Sequence, residues 1–276
     1  MSDPLLLNPP VMLFGQDLAE PRQVSLKTGQ AMAFSRPHAG QPSANEDALG
    51  IFEDAAGGIC LAVADGVGGL PQGLEAASLV IDLLAQGSRA RDIPIDSQIE
   101  TANRALLAQW PNAATTVCVV EVVGSSLVSC HAGDSIALVV GQRGRIKLKM
   151  QSHSPVGIQE ANGLDEKEAL FHPQRHLLNN MMGDPALWLE KQDPLELAPR
   201  DTVLIGSDGL WDNFFLSEIV EIIRVGELSE SAEKLAETVV QRMDHPLAGL
   251  PSKPDDVSFI LYRMQSAGEV DAAAED

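Results

Sequence analysis

Residues 59–66 read ICLAVADG, and residues 202–209 read TVLIGSDG. Each is a short apolar run that ends in Asp-Gly, at Asp65-Gly66 and at Asp208-Gly209. A run of this length bounded by a turn signal reads as a buried strand. An Asp at a strand end is ordinarily a turn residue. Two of them directly after fully apolar strands place carboxylates and backbone carbonyls at the rim of a core.

The neighbouring sequence builds outward from these strands. After Asp65, the residues Leu74, Ala77, Ile81 and Leu84 recur at helical spacing. They predict an amphipathic helix over about Gln72–Gln86, stopped at Gly87. A second helix is expected over Asp96–Gln109, capped by Asp96 or Ser97. Four strand-like segments follow: Thr115–Val123, Ser126–Ala132, Ile136–Val140 and Arg145–Met150. Gly124-Ser125 and Gly141 to Gly144 are short enough for hairpin turns. Residues 151–190 are polar, with short helical pieces such as Asp165–Leu170. Beyond the strand at Asp201–Gly206 come helices over about Leu216–Val225 and Ser231–Asp244, then a last strand at Val257–Tyr262. Hairpin strands broken by pairs of helices, without βα alternation, indicate an α+β layered sandwich. Residues 1–28 read as a Pro-rich extended arm adding an edge strand. Residues 29–264 read as one domain, and 265–276 as a disordered acidic tail.

Composition narrows the function classes. The chain has 276 residues, 45% of them hydrophobic, which is enough for a real core. Its 39 acidic against 19 basic residues give a formal net charge of -20. Such a polyanion repels nucleic acid and anionic lipid. Cys60, Cys118 and Cys130 lie in apolar stretches without CxxC spacing, so they read as reduced core cysteines of a cytoplasmic protein. Asp3 and the lack of an initial basic run argue against a secretory signal. No run of about 18 apolar residues occurs, so no membrane span is expected.

The acidic clusters carry the chemistry. They are Asn45–Asp47 (NED), Ala64–Gly66 (ADG), Ser207–Asp212 (SDGLWD) and Pro254–Asp256 (PDD), each at a strand end, with Gly133–Ser135 (GDS) in a turn. Carboxylates gathered at a sheet edge repel one another unless protonated or bridged by a cation. Hard oxygen ligands select magnesium, calcium or manganese over zinc. Two such ions sharing a water make a nucleophile suited to in-line attack on phosphorus.

The ordered set NEDA, ADGVGG, TT, AGDS, SDGLWD, DDVS resembles the metal-dependent protein phosphatases of the 2C-like class, in their bacterial form, from about Ala31 to Tyr262. VADGVGG at Val63–Gly69 and LIGSDGLWDNF at Leu204–Phe214 are its most specific parts. HPQRHLLNNMMGD at His172–Asp184 is similar to the bacterial segment after a flap. The resemblance implies a four-layer αββα sandwich: two antiparallel sheets flanked by helix pairs, with a flap over residues 151–182. It implies hydrolysis of phosphoserine and phosphothreonine by a hydroxide bridging two manganese or magnesium ions. Asp65 bridges the ions and the Gly66 carbonyl binds one. Asp208 and Asp255 ligate the second, Glu46 holds a metal-bound water and Asp47 supports that shell. Asp134 with Asp208 forms a looser third metal site, while Asp212 and Asp256 orient the ligands. The implied partners are a phosphorylated protein and an opposing Ser/Thr kinase, for a monomeric enzyme.

The chain departs from the pattern at several positions. Pro42 stands where many relatives carry a phosphate-binding Arg four residues before the Glu of NED, and Arg36 is the nearest basic residue upstream that could substitute. Val67 replaces the His that animal members carry after Asp-Gly, and Ile136 replaces an Arg after GDS. His38, His153, His172 and His176 read as surface or capping residues. A catalytically weak pseudophosphatase serving as a binding module is the alternative that Pro42 supports, and the retained carboxylates oppose it. A hydrolase of small phosphorylated metabolites is a second alternative.

Overall fold

The computed structural model describes residues 10–40, 44–88 and 93–265. Among these, the strands are β1 (Val11–Phe14), β2 (Arg22–Leu26), β3 (Gly29–Arg36), β4 (Asp47–Glu53), β5 (Ile59–Asp65), β6 (Val117–Val123), β7 (Ser126–Ala132), β8 (Ile136–Val140), β9 (Ile146–Lys149), β10 (Glu190–Glu196), β11 (Thr202–Gly206) and β12 (Val257–Met264). The helices are α1 (Gly73–Gly87), α2 (Ile95–Gln109), α3 (Pro155–Ala161), α4 (Glu166–Leu170), α5 (Asp208–Trp211), α6 (Leu216–Ile223) and α7 (Leu228–Asp244).

The strands form two sheets, ordered β1-β4-β5-β6-β7-β10 and β2-β3-β12-β11-β8-β9, with antiparallel neighbours throughout. Period-2 alternation splits the apolar residues of each strand between two cores. Leu49, Leu61, Val63, Val120, Val203, Ile205, Ile260 and Tyr262 face inward and fill the space between the sheets. Ala48, Ala62 and Ala64 face outward and pack under Ala76, Ile81, Leu84, Ile99 and Leu106 of α1 and α2. On the other side, Phe34, Leu204 and Phe259 pack under Leu210, Phe214, Ile219, Leu235 and Val239. Strands buried on both faces read as continuous apolar runs for this reason. The result is the α+β, four-layer αββα sandwich expected.

Several local expectations need correction. Over its described part, the N-terminal arm is two edge strands. Leu13 of β1 and Val24 and Leu26 of β2 are buried in the central core. β2 and β3 pair from Leu26 opposite Gly29, so a boundary at residue 29 falls inside a hairpin. Helix α2 begins at Ile95 behind Pro94, with no side-chain cap. Asp96 turns instead to Lys191, 2.7 Å away. The β7–β8 turn holding Asp134 is a crossover from one sheet to the other. Pro42 and residues 266–276 of the acidic tail lie outside the described residues. No helix among the described residues is long and apolar enough to cross a membrane.

Candidate metal centre

The strand ends bring the carboxylates of both sheets to one end of the sandwich. Asp47 opens β4 directly opposite Asp65, which closes β5. Both continue the inward alternation of their strands, so they cap the central core. From the second sheet, β11 runs into α5, where Asp208 is the first residue. Asp255 and Asp256 lead into β12, the neighbour of β11. Glu46 joins through its backbone, whose N–H donates to Asp256 Oδ2 at 2.8 Å.

A polar layer beneath the carboxylates ties the sheets together. Ser207 Oγ donates to Asp47 Oδ2 at 3.0 Å and accepts from Ser258 N at 3.0 Å. Ser258 Oγ donates to Ser35 Oγ at 2.9 Å, and Asn45 Nδ2 donates to that same oxygen at 2.9 Å. All five of these residues are buried. They occupy the last inward positions, where an apolar side chain would abut charge. Thr115 and Thr116 clamp Asp65. Thr115 Oγ1 donates to the Asp65 carbonyl at 2.8 Å, and Asp65 N donates to Thr116 Oγ1 at 3.0 Å.

The glycine after each aspartate answers a close backbone approach. A Cβ on Gly66 would lie 2.5 Å from the backbone of Gly73, where α1 starts, and one on Gly209 would lie 1.9 Å from the Asp256 carbonyl oxygen. Each Asp-Gly pair is therefore a packing requirement as well as a turn.

The cluster holds its carboxylates in an unfavourable field. Burial, then Asp47 and Asp208, push the Asp65 carboxyl well above the usual range. Burial and Asp256 do the same to Asp47, and burial and Asp208 to Asp134. Burial, followed by Asp256 and Glu75, raises Glu46. Burial and Asp208 carry Asp255 up to about 7 against the opposing pull of Lys253, and burial carries Asp212 up to about 6 against that same lysine.

Two cations touch this group among the described residues. Lys253 Nζ contacts Asp208, Asp212 and Asp255. Arg175, from the flap, lies 3.6 Å from Asp212 Oδ2. Arg36 is not brought to the cluster. Its guanidinium lies 3.6 Å from Asp17, and it shares a groove with Phe34, Glu233 and Glu237 on the outer face of the second sheet. Residues 35 and 36 point to opposite faces, and Ser35 takes the inward one. This corrects the assignment of Arg36 as a phosphate ligand.

His153 is buried, neither a surface nor a capping histidine. His131, His153 and Glu190 are the one group of three or more His, Cys, Asp and Glu side chains among the described residues whose ligand atoms lie within 4.8 Å of one another. The His153 nitrogens are engaged, and His131 Nδ1 is buried with no hydrogen-bond partner among the described residues. His153 Nδ1 accepts from Gly133 N at 3.2 Å and from Asn180 Nδ2 at 2.9 Å, and its Nε2 faces Glu190 at 3.2 Å. His131 stacks on His153 with ring centroids 4.1 Å apart. The group anchors the flap to the turn that carries Asp134.

Comparison with known proteins places this architecture. A family model described as protein phosphatase 2C matches residues 35–243. The chain belongs to the protein phosphatase 2C family. It is 29% identical over 239 residues to a protein phosphatase 2C-type chain of Streptococcus pyogenes serotype M6, covering 81% of this chain and 93% of that one. The serine/threonine phosphatase Stp1 of Staphylococcus aureus superposes with a TM-score of 0.73 at 25% identity, covering 91% of this chain and 100% of that one. The catalytic domain of the serine/threonine protein phosphatase PstP, solved in complex with two manganese ions, superposes with a TM-score of 0.67 at 25% identity, covering 87% and 99%.

The protein phosphatase 2C residues of this chain fit divalent cations. The donors are carboxylate and carbonyl oxygens, the set preferred by manganese and magnesium. Asp47 Oδ1 is buried with no hydrogen-bond partner among the described residues, a deficit that a cation nearby offsets. Sequence reasoning missed Lys253, Arg175 and the serine layer. Lys253 stands two residues before Asp255, immediately ahead of a motif read only for its acids.

Proposed function

We propose that this protein phosphatase 2C family member hydrolyses phosphoserine and phosphothreonine in proteins with two divalent cations, manganese or magnesium. The observation that carries the reading is the convergence of Asp65, Asp208 and Asp255, from the strand ends of both sheets and the turns beside them, on one end of the sandwich. Asp65 and the Gly66 carbonyl would hold one ion, with Glu46 and Asp47 supporting its water shell, and Asp208 and Asp255 would hold the other. Asp134 with Asp208 offers a looser third position. When bound, the ions supply Lewis acidity toward phosphoryl oxygens and acidify water into a nucleophile.

The chain's own residues orient this chemistry. Asp256 fixes Glu46 through its backbone N–H, and the threonine pair fixes Asp65. The flap contributes Arg175 beside the carboxylates and α3 and α4 along a pocket that also reaches Asp134 and Asp208. We assign substrate choice to this flap. The same reading makes the enzyme a cytoplasmic monomer that opposes a Ser/Thr kinase. Hydrolysis of a phosphothreonine peptide and of small phosphorylated metabolites, each with manganese and with chelator, tests it. Manganese-dependent turnover that favours the peptide is expected. Preference for one metabolite contradicts the substrate class.

A further inference from the structure

Lys253 has no role in the function proposed above, yet its ammonium sits inside the carboxylate cluster. It is hydrogen-bonded to Asp208 Oδ2. It lies 3.1 Å from Asp212 Oδ2 and 3.1 Å from Asp255 Oδ2, with 14% of its side chain exposed. A surface lysine gains little from such pairing and loses rotamer freedom. This one is held in place by a dedicated clasp. The buried side chain of Asn213 accepts from Lys253 N at 2.8 Å and donates to Lys253 O at 2.9 Å. The same amide donates to Gly209 O at 2.8 Å, so it ties Lys253 to the α5 turn that carries Asp208 and Asp212.

Two of the three carboxylates that Lys253 neutralises, Asp208 and Asp255, are those assigned to the second divalent ion. An ammonium and a divalent cation a few ångströms apart repel strongly in a partly buried site. We infer that Lys253 is an intramolecular counter-cation of the metal centre: it occupies the Asp208–Asp255 side in the metal-free protein, competes with the divalent ion there and withdraws as that ion enters. The inference rests on the metal-centre reading. The lysine lowers the repulsion among these carboxylates, and in return it weakens the second ion. Occupancy of that position then follows the free metal concentration.

Calorimetric titration of chelator-stripped wild type, Lys253→Met and Lys149→Met with manganese tests this, alongside thermal melts with and without metal. Lys149 pairs with Glu160 at 2.8 Å on the flap and serves as the control. Lys253→Met is expected to bind the weaker manganese ion at least tenfold more tightly than wild type. Its chelated form melts lower, so its manganese-induced Tm shift is larger, while Lys149→Met matches wild type in every readout. Equal manganese affinities in wild type and Lys253→Met overturn the inference. Acetylation of the wild type, read by mass spectrometry, does not depend on the variant folding. Labelling of Lys253 relative to Lys149 should rise several-fold on manganese loading, and unchanged or reduced labelling overturns the inference as well. Absence of manganese binding in both wild type and Lys253→Met sinks the metal-centre reading and this inference with it.

Discussion

Ser207 shows what a single hydroxyl contributes to this site. It donates to Asp47 Oδ2 at 3.0 Å, and the other carboxylate oxygen of Asp47 has no hydrogen-bond partner among the described residues. Removing a donor to a buried charged group costs about 1–3 kcal/mol. Ser207→Ala is expected to lose that much stability in the chelated protein, measured by urea unfolding, and to recover part of it with manganese. Ser207 was illegible in the sequence, because a small hydroxyl before Asp-Gly reads as a turn residue. Only the packing of the sheet that carries β11 against the sheet that carries β4 puts it under Asp47. Asp65 and Asp208 were legible because each follows an apolar run with no other polar group to explain it. Lys253 was hidden for the reason Ser207 was: its partners at positions 208 and 212 are distant in the chain.

At the scale of elements, the flap and its anchor decide what the sequence could disclose. Helix α1 and strands β5, β7, β8 and β11 were legible from period and punctuation. β10 was not, since EKQDPLE offers one apolar residue, Leu195, and a proline. It is an edge strand whose register shifts between Gln192 and Leu195, and an edge irregularity is where Pro194 is tolerated. Residues 151–182 stood out by a change in composition, but α3 and the His131–His153 stack were not legible. Burial and the adjacent His131 lower His153 to about 4 from an ordinary 6.5. A histidine whose folded pKa is depressed contributes stability that is present above its unfolded pKa and lost as pH falls through the folded value. The window here is pH 6.5 down to about 4, and the linkage amounts to roughly 3 kcal/mol. Unfolding free energies measured across that window should therefore fall less steeply for His153→Gln than for wild type. Identical slopes contradict a neutral, flap-anchoring His153.

At the scale of the whole molecule, the carboxylates and the polar layer belong to both sheets, so the centre is a property of the sandwich and of neither half alone. Glu46, Asp47 and Asp65 come from one sheet and Asp208 and Asp255 from the other. The order of motifs along the chain made this architecture legible through its resemblance to the 2C-like phosphatases, which implied the four-layer sandwich. The phosphate-binding group was not legible: Arg36 points to the outer face of its sheet, a direction set by strand alternation. A chain of net charge -20 has little to attract a phosphate dianion except bound cations, and the central claim is that this site holds them for catalysis. The most direct test is turnover of a phosphothreonine peptide by wild type and Asp208→Ala, each with manganese, with magnesium and with chelator. Metal-dependent turnover by wild type is expected, abolished by chelator and reduced at least a hundredfold in Asp208→Ala. Turnover that survives chelation or the substitution, or its absence in a wild type shown to bind manganese, contradicts the central claim.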